Sequence, residues 1–128
     1  RANTTELRLG DEVRSAAEWR AWWKRSTRDS GPIPLTTAVG SFSPAGDSPY
    51  GVADMAGNVY EWTASQSRLY GPSPGCDASL LSVMGRYRAI RGGSWMSLRF
   101  QARTTERLHG DPSGWACFAT GFRCAADL

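Results

Sequence analysis

Residues 50–63 of the chain read YGVADMAGNVYEWT. Gly57 and Asn58 are a turn signal, because both residues tolerate the left-handed backbone conformation that tight turns need. A run with strand character follows at Val59–Thr63. The stretch therefore predicts a tight turn that leads directly into a strand.

Outward from this stretch, the chain offers only short segments of regular structure. Runs with strand character occur at Thr36–Val39, Tyr87–Arg91 and Gly121–Cys124, each bounded by Gly, Pro or Ser. The chain has 14 glycines and 7 prolines, and most of them follow Ile33. We therefore expect a domain rich in irregular loops, in which side-chain caps, bound ions and buried tryptophans satisfy the backbone.

One helix is predicted at residues 14–28. Ser15 precedes Glu18 by three residues, which is the spacing of a capping box. Three tryptophans share one face of this helix: Trp19, Trp22 and Trp23. Packing of this face against the core is the favoured interpretation, and an exposed aromatic ridge that binds a partner is the alternative.

Length and composition exclude several classes of protein. A chain of 128 residues suffices for one domain at most, and 41% hydrophobic with 21% charged residues is typical of a globular protein. No apolar run approaches the roughly 20 residues that span a bilayer. The net charge of +3 is spread over alternating basic and acidic residues, so nucleic-acid binding is not expected as the main function.

The cysteines and the histidine favour structural interpretations. Cys76, Cys117 and Cys124 lack the paired spacing of a zinc site, so we interpret them as small buried residues. His109 is the only histidine, which excludes a metal centre built on several imidazoles of this chain. No nucleophile stands at a fixed spacing from His109, so a loop residue or a ligand contact is favoured over a catalytic base.

The stretch at 50–63 resembles the signature of the formylglycine-generating enzyme family, also called the sulfatase-modifying-factor family. Four further motifs follow in the family's order: ANTT at 2–5, TAVGSF at 37–42, RAIRGGSW at 88–95 and GFRCA at 121–125. The resemblance identifies residues 1–128 as the carboxyl-terminal part of one such domain, with a Trp-rich helical insertion at about 12–30. It implies an α+β fold of the irregular C-type-lectin-like kind, in the formylglycine-generating subtype. It also implies that the amino-terminal half of the domain lies elsewhere, in a preceding segment or a partner chain.

The same resemblance argues against copper chemistry. Active members carry two cysteines five residues apart after the GGSW motif, which bind copper(I) and oxidise a substrate cysteine to formylglycine. The matching positions here are Ser97 and Ala102. Neither side chain is the soft thiolate that copper(I) prefers, so no copper and no oxidase activity are expected.

A structural calcium site at the glycine–asparagine turn is also implied by the resemblance. Calcium accepts hard oxygen ligands from carboxylates and from main-chain carbonyls. Glu61 would supply the carboxylate, and Ala56, Gly57 and Val59 would supply carbonyls. A surface or salt-bridged carboxylate is the alternative for Glu61, and the residues leave both interpretations open.

Three further charged residues, Asp54, Arg91 and Arg123, are interpreted as structural. Buried charges in a loop-rich fold persist only when they are paired. We therefore expect these residues to stabilise loops rather than to act on a substrate.

The stretch between Trp95 and Gly121 mixes a regular and an irregular pattern. Arginines recur every four residues at 99, 103 and 107, while the residues between them are chemically mixed. Retroelement-diversified proteins with this domain place a ligand-binding surface between their GGSW and GFR motifs, and the layout here is similar. We therefore predict a ligand-binding surface near residues 96–118; a diverged, inactive surface is an equally supported alternative. The candidate contacts are Met96, Ser97, Leu98, Phe100, Gln101, Glu106, Leu108, His109, Ser113, Trp115 and Phe118.

The leading functional hypothesis is a non-catalytic module that binds a protein or another macromolecule, with a diversified variable protein as its sharper form. The alternative is a sulfatase-modifying-factor-type enzyme or accessory paralogue, which generates formylglycine or is related to iron-dependent sulfoxide synthases. A structural subunit that docks through the tryptophan helix is the third hypothesis. An upstream domain with three histidines would favour the iron enzyme.

Overall fold

The structure of the protein is a computed structural model, which describes residues 2–9, 15–29, 35–68, 85–114 and 117–126. Within these residues, two helices come first and four short strands follow, with one 3-10 helix between the second and the third strand. Their bounds are α1 (Thr5–Leu9), α2 (Ala16–Asp29), β1 (Tyr60–Gln66), β2 (Arg88–Arg91), the 3-10 helix η1 (Arg99–Ala102), β3 (Leu108–Gly110) and β4 (Thr120–Gly121).

The four strands form one mixed sheet in the order β3-β2-β1-β4. Strand β2 is antiparallel to both of its neighbours, and it places Arg91 opposite Glu61 and Ala89 opposite His109. Strand β4 runs parallel to β1 and pairs Thr120 with Tyr60. The central strand β1 begins two residues after the glycine–asparagine turn, so the sheet holds this turn in place.

Helix α2 confirms the predicted helix and its amino-terminal cap. The hydroxyl oxygen of Ser15 accepts a hydrogen bond from the Glu18 N–H at 3.2 Å, as the capping spacing predicts. Trp22 is buried, and the ring of Trp23 stacks on that of Trp95 at 5.8 Å. Trp23 therefore attaches the helix to the loop that contains the GGSW motif, and the burial of Trp22 agrees with the core interpretation.

The core combines apolar and polar side chains. The buried apolar residues are Trp22, Ala89, Ile90, Trp95 and Ala119, and the buried polar residues are Asn3, Thr4, Thr5, Ser67, Ser94 and Ser97. Loops carry many of these residues, so their packing depends on specific hydrogen bonds as well as on apolar burial. This dependence matters for the functional site, because the same bonds connect the motifs.

The sequence predicts part of this architecture. The α+β class is confirmed, and so are strands at Val59–Thr63 and Tyr87–Arg91. The strand predicted at Thr36–Val39 is wrong, because the Thr37 N–H is bound by a side chain instead of a neighbouring strand. Only Gly121 of the run Gly121–Cys124 belongs to a strand. Among the described helices, none is both long and apolar enough to cross a membrane.

Candidate functional site

The turn at Gly57 and Asn58, called the GN turn below, lies where several loops meet. Gly57 is buried, has a φ of +76° and donates a hydrogen bond to the Gly92 carbonyl at 2.7 Å. A Cβ at this position would lie 2.8 Å from the main-chain carbon of Asn3 and nearer still to its oxygen. Only glycine therefore permits this approach of the two chain segments.

Asn58 has the left-handed conformation that the sequence predicts, with a φ of 66°. Its N–H donates to the Asn3 carbonyl at 2.8 Å, and its own carbonyl accepts from the Trp95 N–H at 2.9 Å. Its Oδ1 accepts from the Thr37 N–H at 2.9 Å and from the Asn3 amide at 3.2 Å. The GN turn thus connects the ANTT, TAVGSF and GGSW motifs.

The residues predicted to bind calcium lie around this turn. Gly57, Val59 and Glu61 border a cavity of about 270 Å³, whereas Ala56 borders a different one. Both carboxylate oxygens of Glu61 accept hydrogen bonds from the Arg123 guanidinium, and this contact raises the pKa of Arg123. Among the residues that the structure describes, no three His, Cys, Asp or Glu side chains are grouped to hold a metal. Calcium therefore stays a prediction, and Glu61 makes the salt bridge that was its alternative interpretation.

Arg123 and Asp54 both make structural contacts near the GN turn, but they are not the buried charge pair that was expected, because Arg123 is exposed and binds the Asp54 main-chain carbonyl rather than its carboxylate. Arg123 also donates to the carbonyls of Ala53 at 2.8 Å and Asp54 at 2.9 Å, while the Asp54 carboxylate accepts from the Gly40 N–H at 2.7 Å. Arg91 lies apart and donates to the carbonyls of Thr104 and Glu106. These contacts stabilise loops, as expected.

Of the two positions that resemble the copper ligands, Ser97 is buried and Ala102 is half-buried. Ser97 is 3% exposed; its hydroxyl donates to the Tyr60 hydroxyl at 2.9 Å and accepts from the Ser94 N–H at 2.9 Å. Ala102 packs so closely on Gly93 that a Cβ there would lie 3.1 Å from the Ala102 Cβ. Ser97 therefore belongs to the interior rather than to the predicted binding surface.

Four of the predicted ligand contacts come together in one place. A groove of about 570 Å³, called the α2 groove, separates helix α2 from the loop after the GGSW motif. The helix contributes Ser15, Ala16, Trp19 and Arg20, and the loop contributes Met96, Leu98, Phe100 and Gln101. The sequence did not predict that the helix forms one wall of this site, because nothing local indicates where an inserted helix docks.

The loop wall of the α2 groove is held by a local hydrogen bond. The Gln101 side-chain oxygen accepts from the Leu98 N–H at 2.9 Å, at the start of η1. The ring of Trp19 stacks on Trp23, which in turn stacks on the buried Trp95. The helix wall is therefore attached to the core through Trp23 and Trp95, and the loop wall is held by its own hydrogen bond.

Other predicted contacts are more scattered. Glu106 pairs with Arg103 at 3.1 Å. Ser113 donates from its N–H and its hydroxyl to the Asp111 carboxylate, and these bonds lower the pKa of that carboxyl. Trp115 lies outside the described residues.

Leu108 and Phe118 reach the surface in different ways. Leu108 is 36% exposed in the edge strand β3. Phe118 is 73% exposed, and one side of its ring contacts Trp95 at a centroid distance of 6.0 Å. Phe118 therefore extends the row of stacked rings from the core to the solvent.

His109 has a partner that the sequence does not indicate. The hydroxyl of Ser67, 42 residues away along the chain, contacts its Nδ1 atom. Burial and the neighbouring Arg107 lower the pKa of His109, so the neutral imidazole is favoured. Ser67 is fully buried, which keeps its hydroxyl from any substrate. The pair joins the end of β1 to β3 and does not form a catalytic dyad.

The described cysteines differ from the buried residues that were expected. Cys117 is half-buried and Cys124 is exposed, and both are free thiols. Cys76 lies outside the described residues.

The fold and the GN turn define a small α+β domain that is held together by hydrogen bonds between loops. Residues 3–128 match a family model described as the sulfatase-modifying factor enzyme 1-like domain. The chain belongs to this family, as its motifs predict.

Curated relatives of the chain include proteins of different kinds. It is 37% identical to the serine/threonine-protein kinase pkn1 of Chlamydia pneumoniae over 73% of this chain and 15% of the kinase. It is 31% identical to the inactive C-alpha-formylglycine-generating enzyme 2 of Bos taurus over 84% of this chain and 32% of that protein. It is 33% identical to the formylglycine-generating enzyme of Mus musculus over 72% of this chain and 24% of the enzyme. The chain therefore spans about a third or less of each of these relatives.

Proposed function

We propose that the chain is a non-catalytic ligand-binding module with a C-type-lectin-like fold of the formylglycine-generating subtype. The observation that carries this proposal is the state of the two positions that resemble the copper ligands. Ser97 is buried in hydrogen bonds with Tyr60 and Ser94, and Ala102 packs on Gly93. Both positions serve packing here, and neither offers a thiolate to a metal.

Two further findings support the proposal: the first concerns the absence of catalysis, and the second concerns binding. The Bos taurus and Mus musculus relatives named as inactive enzymes show that members of this family exist without the activity. The stretch 96–118 also presents large side chains to solvent, because Phe100 is 56% and Phe118 is 73% exposed. Exposed aromatic residues around a groove are typical of sites that recognise macromolecules. Diversification of this surface by a retroelement is the sharper form of the proposal.

Calcium enters this proposal only as a structural ion. Glu61 and Asp54 border the cavity at the GN turn, but Arg123 already compensates the Glu61 carboxylate. An ion at this carboxylate would have to displace the guanidinium, so the residues do not fit a calcium site as they stand. Thermal unfolding in calcium chloride and in a chelator tests the prediction, and a higher midpoint with calcium would support it.

The decisive experiment measures copper(I) and formylglycine directly. The protein is titrated against a copper(I) chelator and then incubated with a CxPxR peptide under oxygen, with mass spectrometry as the readout. We expect neither stoichiometric binding nor conversion of the peptide cysteine. An active formylglycine-generating enzyme serves as the positive control. Stoichiometric copper binding or conversion by the chain would overturn the proposal and favour the enzyme hypothesis.

Sequencing of the encoding locus tests the sharper form. A reverse transcriptase gene beside a near-repeat of the coding stretch for Trp95–Arg123, mismatched at adenines, would establish diversification. An upstream three-histidine domain or a neighbouring sulfatase gene would instead favour the enzyme or accessory paralogue. A locus with none of these features would remove the retroelement from the proposal and leave the binding function to the other tests.

A further inference from the structure

We propose that the α2 groove binds an acidic peptide segment that carries a large apolar side chain next to a carboxylate. This inference rests on the proposed binding function and names the ligand class of one part of that surface. Helix α2 and the loop at residues 96–101 form the two walls of the groove. Its volume of about 570 Å³ lies within the range of about 300–1,000 Å³ that is typical of ligand sites.

The walls of the groove favour an apolar side chain. Large apolar side chains make up half of the eight lining residues, namely Trp19, Met96, Leu98 and Phe100, and Phe100 is 56% exposed. Tryptophan, methionine, phenylalanine and arginine are the residue types that protein interfaces enrich at their centres. A leucine or phenylalanine of a partner would bury apolar surface on both walls.

Trp19 contributes apolar surface to the groove rather than a hydrogen-bond donor. Its one polar side-chain atom, Nε1, is buried and makes no hydrogen bond within the part of the chain that the structure describes. A ligand in the groove therefore meets Trp19 as an apolar surface.

The charge of the helix wall favours an acidic ligand. Arg20 borders the groove and forms no ion pair or hydrogen bond with the described residues. Arg20, Lys24 and Arg28 follow each other at four-residue spacing along α2, and Arg20 is the member of this row that borders the groove. The positive charge of Arg20 at the groove favours a ligand that carries a carboxylate.

The groove is already arranged for binding. Trp19 is stacked on Trp23, and Trp23 on the buried Trp95, so the indole keeps its orientation without a ligand. The hydrogen bond between the Leu98 N–H and the Gln101 side chain fixes the conformation of the loop wall locally. A preorganised site loses less entropy on binding, which favours short peptides as ligands.

Selection from a phage-displayed library of random dodecapeptides tests the inference. We expect the enriched peptides to place an Asp or Glu within two residues of a Leu, Phe or Trp. The best peptide is then labelled and measured by fluorescence anisotropy, where Arg20→Gln should weaken binding about tenfold and Trp19→Phe about threefold. Arg25→Gln is the matched control, because Arg25 is an exposed arginine of α2 outside the row and outside the groove lining, and it should change binding less than twofold.

Several results would overturn the inference. No enrichment, a neutral or basic consensus, or equal binding by the wild type and Arg20→Gln would each do so. Displacement of the peptide by an oligonucleotide at lower concentration than by its own acidic analogue would assign the groove to nucleic acid instead. Copper binding by the chain would refute the proposed function without changing any of these peptide measurements. Equal binding of the enriched peptides by the wild type, Trp19→Phe and Arg20→Gln would likewise overturn it, because the peptides would then bind outside the α2 groove.

Discussion

The GN turn and the α2 groove use their residues in opposite ways. At the GN turn, one glycine and one asparagine are surrounded by backbone, and each position accepts only what the neighbouring loops allow. At the α2 groove, side chains line a surface that is open to solvent, and Phe100 is 56% exposed there. The domain therefore keeps its shape through buried polar contacts at the GN turn, and the side chains that line the α2 groove can vary without disturbing those contacts.

The largest effect is expected from Gly57→Ala. The new Cβ would overlap the Asn3 backbone, and the residue would have to keep a φ of +76°. Strain in the left-handed region and overpacking together should lower the free energy of unfolding by about 4 kcal/mol. Urea unfolding followed by tryptophan fluorescence measures this change.

Gly51→Ala is the matched control for that experiment. Gly51 has a similar φ of +74°, but nothing lies within 4 Å of the position of its Cβ. It should cost about 1 kcal/mol, which is the conformational part alone. Equal costs at the two glycines would show that the contact between Gly57 and Asn3 does not limit the fold.

Asn58→Ala should have the next largest effect. The substitution leaves the Thr37 N–H without its acceptor and removes one of the two acceptors of the Asn3 amide, which keeps the Leu35 carbonyl, and it places alanine at a φ of 66°. We expect a loss of about 3 kcal/mol in unfolding free energy. Asn58→Gly removes the same hydrogen bonds without the conformational strain, so its smaller loss isolates their contribution. A cost below about 1 kcal/mol for both variants would contradict the central role of this side chain.

Local signals made part of the fold and site predictable. Ser15 and Glu18 predict the start of α2, and the run after Asn58 predicts β1. Both patterns act over only a few residues of the chain. The left-handed conformation of Asn58 follows from its residue type and its place beside a glycine. Each of these features depends on the chain within one turn or one strand.

Features that depend on distant residues were not predictable in the same way. The α2 groove exists only because an inserted helix docks on the loop after Trp95, and no residue near Met96 or Phe100 encodes that contact. The strand predicted near Thr37 is absent because a side chain far along the chain takes its N–H. The burial of Ser97 likewise depends on the hydroxyl of Tyr60.

A smaller effect on the free energy of unfolding is expected from the salt bridge between Glu61 and Arg123, beside the GN turn. Glu61→Gln removes the carboxylate that binds Arg123 while keeping its shape, and it should cost about 1 kcal/mol, because the pair is only partly shielded from solvent. Arg103→Gln at the more exposed pair with Glu106 is the control and should cost at most about 0.5 kcal/mol. Chemical unfolding at low and high salt compares the two. A larger loss of unfolding free energy for Arg103→Gln than for Glu61→Gln would show that the surface pair stabilises the fold more than the pair beside the GN turn.

The smallest effect is the pH dependence that His109 gives to the free energy of unfolding. Its folded pKa lies below the ordinary value of 6.5 because burial and Arg107 disfavour the charged ring. As the pH falls below 6.5, the unfolded chain therefore takes up a proton that the folded chain refuses, and the free energy of unfolding decreases until the lowered pKa is reached. Above pH 6.5 both states are neutral at this residue and the contribution is constant. Because His109 is the only histidine, His109→Gln should flatten the profile between pH 7 and 5.5. A slope that survives this substitution, or stability that rises as the pH falls, would mean that burial and Arg107 do not favour the neutral ring of His109.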